Sequence, residues 1–443
     1  MIRTDYYKDL TKMNTFGMKV KARCFIEYDS VADLVDIEFE ELARPVLHIG
    51  GGSNLLFTDD FKGTVLHSKI NFIEILESDR RISAVPSASA RCSENIEAAV
   101  APVNAEGSDG MPPRGLSQSD WGVDKVVEDD APAETLVSVG AGVVFDDFCD
   151  WAAKEGLWGV ENLSYIPGEV GASAVQNIGA YGVEVKDVIK TVYCYDTIDE
   201  EFVNFDVEDL DYGYRDSAFK DPEIKGRYIV THVVFALSRT PQPRLEYGHL
   251  KEAVLSASVR ECHSVPETPS QVNLGPSPYP GVGKCLLYTN GTSPSDADAE
   301  QEKLAKVTPA LIRKVIIKIR KEKLPEPSVM GSAGSFFKNP VITAEHFARI
   351  EAAAKLELGA DYKVPHYDLS DGTVKVPAAW MIEQCGWKGR RSGNAAVWDK
   401  QPLVIVNYTG EAYPEEIIGL EKRIIASVKA KFDIELHPEV DHI

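Results

Sequence analysis

The sequence lacks a hydrophobic run long enough to cross a membrane, and its first residues do not resemble a signal peptide. No stretch approaches the roughly 20 apolar residues that a transmembrane helix needs. Residues 1–15 are mixed and charged, without an apolar core or a cleavage site of small residues. We therefore expect a cytoplasmic protein with no membrane partner.

Closely spaced cysteines are also missing. The seven cysteines are odd in number and scattered, and no two of them form a Cys-x-x-Cys pair. Disulfide frameworks and zinc fingers both depend on regular cysteine spacing. We therefore predict reduced thiols and no metal site.

Basic residues are scarce relative to acidic ones. The chain has 47 Lys and Arg against 69 Asp and Glu, which gives a formal net charge of −22 at pH 7. Because such a field repels polyanions, we predict that no nucleic acid is a partner. A phosphorylated ligand is not excluded, since salt screens surface charges beyond about 8 Å and a local basic cluster can dominate a cleft.

Two long segments lack apolar periodicity, and they divide the chain. At 443 residues, of which 44% are hydrophobic, the chain is long enough for two or three packed domains. Residues 85–133 are rich in Ser, Ala, Gly, Pro, Asp and Glu, so we predict a disordered insert there. Residues 256–300 contain several prolines and are predicted to be a second, irregular insert.

The rest of the sequence predicts an α+β protein. Strand-like runs occupy residues 24–28, 46–49, 63–67, 72–76 and 136–139. Helical patterns occupy residues 145–155, 310–321 and 414–432. The predicted divisions are a first subdomain at 1–84, a second at 134–237 and a third domain at 238–443.

A glycine-rich turn, Gly50-Gly51-Gly52-Ser53-Asn54, follows the apolar run at residues 46–49. Without Cβ atoms, its backbone N–H groups could approach a phosphate closely. The turn lacks the Lys-Ser/Thr of a P-loop and the G-x-G-x-x-G pattern that leads into a helix. Alone, it is therefore more often a connection between strands, and His48 beside it is expected to be a packed neighbour.

A second glycine-rich segment, at residues 166–182, interleaves glycines with small and amide side chains. Each glycine costs roughly 0.5–1 kcal/mol relative to Ala inside a regular element. A purely structural role would require several consecutive tight turns. A backbone surface that contacts a flat ligand is the more economical interpretation.

Three further segments, at residues 212–217, 334–340 and 437–440, carry polar groups beside aromatic or glycine residues. Arg215 beside an aspartate is more often a surface ion pair worth under ~1 kcal/mol. Ser335 lacks the G-x-S-x-G context of a hydrolase nucleophile. None of these segments specifies a reaction by itself.

Together and in this order, the segments resemble the UDP-N-acetylenolpyruvoylglucosamine reductase family. The sequence departs from the family pattern at Glu169 and Ala174, where a small or apolar residue and a proline are expected. The resemblance covers most of the chain outside the two inserts and is carried by residues 14–17, 50–54, 161–163, 166–182, 214–217, 334–340 and 438–440.

The resemblance implies a vanillyl-alcohol-oxidase-type FAD-binding fold in two subdomains, with a C-terminal α+β domain that binds the substrate. FAD is expected to bind without a covalent link, because residues 50–54 contain neither His nor Cys. NADPH is the expected reductant. The cofactor-binding residues implied are Gly50, Gly51, Gly52, Ser53, Asn54, Pro167, Gly168, Gly171, Ala172, Ser173, Gln176, Asn177, Gly179, Ala180, Tyr181 and Gly182.

The resemblance also implies a reaction. The expected substrate is UDP-N-acetylenolpyruvoylglucosamine, which the family reduces to UDP-N-acetylmuramate in peptidoglycan precursor synthesis. In the family, flavin N5 delivers a hydride to the methylene carbon of the enolpyruvyl group. Arg215 and Glu439 match the residues that hold the carboxylate and the developing enolate. Ser335 matches the proton donor.

Two alternatives stay open at this point. An oxidase with the same flavin fold would have no evident use for Ser335 and Glu439 in addition to Arg215. A UDP-sugar-binding module without redox activity would not need to retain all three.

A monomer is expected, with a tyrosine loop that covers the UDP group. Substrate contacts are implied at Tyr214, Tyr247, Lys323, Asn339 and Gln384.

Overall fold

A computed structural model of the protein describes residues 1–76, 134–263 and 303–443. The strands in these ranges are β1 (Arg3–Asp9), β2 (Lys21–Tyr28), β3 (Val46–Ile49), β4 (Leu55–Leu56), β5 (Phe61–Ser68), β6 (Ile73–Leu76), β7 (Glu134–Gly140), β8 (Gly179–Ala180), β9 (Val183–Glu184), β10 (Ile189–Asp196), β11 (Glu201–Asp206), β12 (Tyr228–Ser238), β13 (Gly331–Ser332), β14 (Val341–Thr343), β15 (Tyr367–Asp368), β16 (Thr373–Lys375), β17 (Arg391–Ser392), β18 (Ala395–Val397), β19 (Ile405–Asn407) and β20 (Asp441–His442). The helices are α1 (Val31–Val35), α2 (Phe145–Lys154), α3 (Val170–Gln176), α4 (Leu250–His263), α5 (Pro309–Lys323), α6 (Ala344–Leu358), α7 (Ala378–Gln384) and α8 (Pro414–Phe432).

The first sheet has the strand order β1-β2-β5-β3. Its two parallel pairings bring Phe25 and Leu47 to the two sides of Val65, because β2 and β3 both run parallel to β5. The strand β5 is covered on both faces, and it is buried from residue 63 to residue 68 although it includes Thr64, His67 and Ser68. Phe25 and Val65 share one hydrophobic core with Phe336 and Met381. The N-terminal sheet is therefore packed directly on the C-terminal part of the chain.

The second sheet is antiparallel, in the order β11-β10-β12-β7-β6. Helix α2 covers it with one apolar face, because Phe145, Phe148 and Ala152 recur at helical spacing and are buried. The ring centroids of Phe148 and Phe235 are 4.7 Å apart. Helix α3 packs on the same core through Val170. The glycine-rich segment that contains α3 is thereby held against this sheet.

The C-terminal part contains a small sheet, β13-β19-β18-β17, covered by α8. The buried residues of α8 include Ile417, Leu420, Ile424 and Val428, which lie along one side of the helix. After α8 the chain returns to the first sheet region, where β20 runs parallel to β4. The chain therefore ends next to the glycine-rich turn at residues 50–54.

The strands and helices predicted from the sequence outside the inserts are confirmed. The start of the second insert differs from the prediction. The insert was predicted to begin at residue 256, but residues 256–263 form the last turns of α4. Leu250 and Val254 pack against α5 with Ala257, which continues the same face, and residues 250–265 contain no proline. Residues 264–300 of the predicted second insert lie outside the described residues.

Strand β6 belongs to the second sheet, although the sequence analysis assigned residues 73–76 to the first subdomain. Leu76 is the cross-strand partner of Leu136. The predicted insert at residues 85–133 lies outside the described residues. Among the helices of the described part, none is long and apolar enough to cross a membrane.

Because Leu76 and Leu136 are paired, a short connection can replace the chain between them. We expect deletion of residues 86–132 to leave FAD binding and turnover intact, with the second sheet preserved. Flavin absorbance per protein and steady-state turnover measure this. Deletion of residues 73–76, which removes β6, is the control and should lower the melting temperature. Loss of FAD or turnover in the first deletion would show that the segment folds onto the site.

Candidate active site

The glycine-rich turn lies directly on the second glycine-rich segment. A Cβ built on Gly51 would lie 3.4 Å from the Cα of Gly168. The Ser53 hydroxyl donates a 2.9 Å hydrogen bond to the carbonyl of Pro167. At Gly52, which has a φ of +60°, a Cβ would lie 1.9 Å from a carbonyl oxygen. These close approaches explain the requirement for glycine in the turn.

The turn leaves backbone donors available. Within the described ranges, the N–H groups of Gly51, Gly52 and Ser53 donate no hydrogen bond to the protein. Successive free N–H groups in a glycine turn form a concave anion site of the kind that binds phosphates. The residues present therefore fit the diphosphate of a dinucleotide cofactor such as FAD.

The second glycine-rich segment is fixed to the turn at residues 212–217. After α3, Asn177 takes a left-handed conformation with φ of 48°, and its buried side-chain amide donates to the Gly213 carbonyl at 2.7 Å. The Ser217 hydroxyl donates to the Val175 carbonyl at 2.6 Å. The Ser173 hydroxyl is also used internally, since it donates to Val170 within α3. Ser173 and Asn177 thus anchor the backbone with their side chains.

Arg215 lies against the glycine-rich segment. Its Nη1 donates to the Asn177 carbonyl at 3.2 Å, and its Nη2 donates to the Gly179 carbonyl. A Cβ at Gly179 would lie 2.7 Å from Nη1, so a side chain there would displace the guanidinium. The remaining nitrogen, Nε, forms an ion pair with Glu439 Oε1 at 3.1 Å. The second glycine-rich segment therefore orients Arg215.

Ser335 and Glu439 are brought together by backbone pairing. The Glu439 N–H donates to the Phe336 carbonyl at 2.8 Å, and the Lys338 N–H donates to the His437 carbonyl at 3.0 Å. Phe336 is fully buried, whereas the neighbouring Ser335 is exposed. The Ser335 loop and the C-terminal segment therefore run side by side. The ion pair with Glu439 adds Arg215 to this group.

The charges around Glu439 are mostly positive. Burial raises the pKa of Glu439 above its ordinary value, although Arg215, Lys220 and Lys338 oppose the rise. Burial also lowers the pKa of Lys220, whose Nζ donates to Gln176 Oε1 at 2.7 Å. One partly buried carboxylate among three cations favours the binding of an additional carboxylate nearby.

Gln176 links the glycine-rich segment to Lys220 and Glu439. Its Oε1 accepts from Lys220 Nζ, and its side-chain amide faces the Glu439 carboxyl and lowers the pKa of that group. Its buried Nε2 makes no close hydrogen bond among the described residues, so it can also donate to a ligand.

Tyr214 and Asn339 are in direct contact. The Asn339 side-chain amide donates to the Tyr214 hydroxyl at 3.2 Å, and its Oδ1 accepts from the Ala378 N–H at 2.9 Å. Lys375, which the sequence analysis did not identify, places its Nζ 4.4 Å from the centroid of the Tyr214 ring. No local motif distinguishes Lys375, because β16 brings it to the site from a separate part of the chain.

Tyr247 lies at the edge of the same region, between two other tyrosines. Its ring centroid is 5.9 Å from that of Tyr181 and 6.4 Å from that of Tyr367. The Tyr367 hydroxyl donates to the Tyr247 hydroxyl at 3.5 Å. Tyr247 is 45% exposed and thus remains accessible to a ligand.

The end of helix α5 adds cations. Lys323 is exposed at the last residue of the helix. Arg320, a second residue that the sequence analysis missed, donates through Nε to the Tyr165 carbonyl at 3.1 Å, and burial lowers its pKa. Within the described part of the chain, its guanidinium has no carboxylate in ion-pair range. Such a cation fits an anionic ligand group.

Gln384 is not brought to this group. It lies at the C-terminal end of α7, about 9 Å along the axis from Ala378, which contacts Asn339. Its carbonyl accepts from Lys431 Nζ at 3.2 Å, and it lines a different cavity of about 350 Å³. The length of α7 separates Gln384 from the other predicted substrate contacts. A match to a short sequence motif cannot reveal this separation.

Comparison with known proteins gives the same family as the motifs. Residues 326–443 match the C-terminal domain of UDP-N-acetylenolpyruvoylglucosamine reductase. Residues 120–204 match an FAD binding domain. A protein of Bacteroides fragilis named UDP-N-acetylenolpyruvoylglucosamine reductase is 40% identical over 435 residues, which cover 98% of each chain. The chain belongs to the UDP-N-acetylenolpyruvoylglucosamine reductase family.

Other members of the family agree. The Porphyromonas gingivalis reductase is 35% identical over 447 residues, covering 100% of this chain and 99% of the relative. The crystal structure of the Thermus caldophilus reductase has a TM-score of 0.51 at 18% identity, covering 100% of this chain and 98% of that one, and shares the fold. The predicted α+β FAD-binding fold of the vanillyl-alcohol-oxidase type and the family are confirmed. The protein is an FAD-dependent oxidoreductase.

The raised pKa of Glu439 predicts a pH dependence of stability. A folded-state pKa above the unfolded value means that wild type loses stability as pH rises through the folded pKa. Glu439→Gln cannot ionise, so its free energy of unfolding relative to wild type should increase from about pH 4 to about pH 8. Thermal unfolding at both pH values measures this. Glu435→Gln, at an exposed position in the same segment, is the matched control. A pH-independent difference for Glu439→Gln contradicts the prediction.

Proposed function

We propose that the protein reduces UDP-N-acetylenolpyruvoylglucosamine to UDP-N-acetylmuramate, with NADPH as the electron source, in peptidoglycan precursor synthesis. The observation that carries this proposal is the convergence of Ser335, Glu439 and Arg215, through the Glu439 N–H bond to Phe336 and the Arg215 ion pair. A proton donor, a carboxylate and a fixed guanidinium in one place are what reduction of an enolpyruvyl double bond requires.

FAD, when bound, supplies the hydride for the methylene carbon of the enolpyruvyl group. In the proposal, residues 50–54 hold the FAD diphosphate through backbone N–H groups, and residues 166–182 line the rest of the nucleotide. The free N–H groups of the turn support this assignment. No covalent attachment is involved.

Arg215 and Glu439 are proposed to act on the substrate carboxylate and on the negative charge that develops beside it. The guanidinium is fixed by two carbonyl groups, so it needs little reorganisation when charge appears. Because burial raises the pKa of Glu439, its carboxyl group takes up a proton more readily and then donates to an enolate oxygen. Lys220 and Lys338 add positive charge behind the pair.

Ser335 is proposed to protonate the carbon next to the carboxylate. A hydroxyl is a weak acid, so its contribution depends on a strongly basic acceptor and on close placement. The buried rings of Phe336 and Phe337 anchor the loop, and the hydroxyl of Ser335 stays accessible. The loop is therefore suited to present one oxygen at a fixed position.

The other predicted contacts are assigned to the UDP-sugar. In the proposal, Tyr247 covers the UDP group, Lys323 contacts the diphosphate, and Tyr214 and Asn339 contact the sugar. The tyrosine contacts at Tyr247 and the Asn339 bond to Tyr214 support this arrangement. Gln384, the remaining predicted contact, lies apart from these residues and lines a different cavity. The proposal includes a cytoplasmic monomer with FAD-binding subdomains at 1–84 and 134–237 and a substrate domain at 238–443.

Anaerobic stopped-flow absorbance tests the reaction and the proton donor separately. NADPH should reduce the flavin of both wild type and Ser335→Ala, since Ser335 is not needed for that step. Reoxidation by UDP-N-acetylenolpyruvoylglucosamine should be rapid in wild type and about 10²- to 10⁴-fold slower in Ser335→Ala, which is the range for loss of a general acid.

Ser332→Ala is the matched control, because Ser332 is buried in strand β13 just before the Ser335 loop and has no proposed role. It should reoxidise like wild type. A bound flavin that ignores this substrate would favour an oxidase with another substrate. Equal loss in the two serine variants would instead attribute the effect to loop structure.

A further inference from the structure

A row of residues crosses the first sheet beside the proposed phosphate site. In the parallel register, Glu27 of β2 is paired with His67 of β5, and His67 is paired with Ile49 of β3. Gly50 follows Ile49 directly, so the row ends at the glycine-rich turn. The register thus places a histidine and a carboxylate where the sheet meets the turn.

His67 lies between two carboxylates. Its Nδ1 is 3.2 Å from Glu27 Oε2, and its Nε2 is 3.1 Å from Glu169 Oε1. The side chains of His67 and Glu169 are 3% and 10% exposed. A neutral imidazole can donate from only one nitrogen, whereas the imidazolium donates from both and satisfies both carboxylates. The geometry therefore fits a charged His67 that joins Glu27 and Glu169.

Among the described residues, no other cation pairs with Glu169. Nearby His48 packs against Tyr28, with its Nε2 2.7 Å from the Tyr28 hydroxyl. Burial, followed by the effect of His67, lowers the pKa of His48 to about 4. Glu27 also faces Arg3, whose Nη1 is 3.4 Å away, but Arg3 is on the outer strand β1. Glu169 depends on His67 alone for an ion pair among the described residues.

Glu169 is in contact with the glycine-rich turn. A Cβ built on Gly50 would lie 3.2 Å from Glu169 Oε2 and 3.1 Å from the Cβ of Ala172. Residue 169 is also one of the positions at which the sequence departs from the family pattern. A buried carboxylate this close to a phosphate site would repel the phosphate unless a cation holds and neutralises it.

We propose that His67 is a positioning residue for FAD, which holds Glu169 away from the glycine-rich turn and offsets its charge. This inference rests on the proposed placement of the FAD diphosphate at residues 50–54. His67 acts through Glu169 and does not itself contact the cofactor.

The test measures the affinity for FAD by dilution of the holoprotein, with the recovery of flavin fluorescence reporting release. His67→Gln should weaken FAD binding about tenfold, because Glu169 is left as an unbalanced negative charge. The defect should shrink at high salt concentration, which screens charge repulsion. Glu169→Gln in the His67→Gln background should restore the wild-type affinity, since the repelling charge is removed.

Two further variants keep the test decisive. Glu169→Asp retains the charge but is too short to reach His67 Nε2, so it should weaken FAD binding similarly even if His67→Gln folds poorly. His232→Gln is the matched control for removal of a partly buried histidine, which stacks on Tyr193 in the second sheet. It should keep the wild-type affinity.

The outcomes separate this inference from the proposed function. Wild-type affinity in both His67→Gln and Glu169→Asp overturns the inference alone. A weakened His67→Gln that Glu169→Gln fails to rescue also overturns it, because the effect is then structural. Failure of wild type itself to bind FAD overturns the proposed function together with the inference.

Discussion

The site depends on one short backbone pairing between the Ser335 loop and the C-terminal segment. The hydrogen bonds from Glu439 N–H to Phe336 and from Lys338 N–H to His437 align the two segments. The same C-terminal segment is bound to the glycine-rich turn, because the Asn54 amide donates to the Glu439 carbonyl at 3.0 Å. These hydrogen bonds therefore fix the relative positions of the first sheet, the glycine-rich turn and the C-terminal domain. This pairing fixes Glu439 next to the Ser335 loop, and the ion pair joins it to Arg215.

Local positive charge in the site contrasts with the strongly acidic chain. The net charge of −22 describes the surface as a whole, whereas Arg215, Lys220 and Lys338 surround Glu439 at short range. Screening limits the distant acids to a weak effect, and low exposure strengthens the near cations. The glycine-rich turn lacks such cations, so it must rely on backbone N–H groups. A carboxylate close to this turn, such as Glu169, therefore opposes phosphate binding more strongly than a carboxylate among the cations around Glu439 would.

Much of the fold could be predicted from the sequence, since strands and helices follow apolar periodicity and clear end signals. The order of the motifs also led to the prediction of Arg215, Ser335 and Glu439 as site residues, which the structure brings together. The contacts among them were not predictable, because they depend on pairings such as that between β20 and β4. Lys375 and Arg320 were missed because neither stands in a distinctive motif. Gln384 matched a local pattern, but the length of α7 places it away from the site.

Three residues of the site that are not glycine have a left-handed backbone. Asn177, Tyr181 and Arg215 have φ values of 48°, 50° and 57°, a left-handed conformation that is uncommon for residues other than glycine. Each is over-determined by hydrogen bonds or packing, such as the Asn162 amide that donates to the Tyr181 carbonyl at 3.0 Å. These hydrogen bonds offset the strain, so the glycine-rich segment and Arg215 hold a backbone conformation that a free chain rarely adopts.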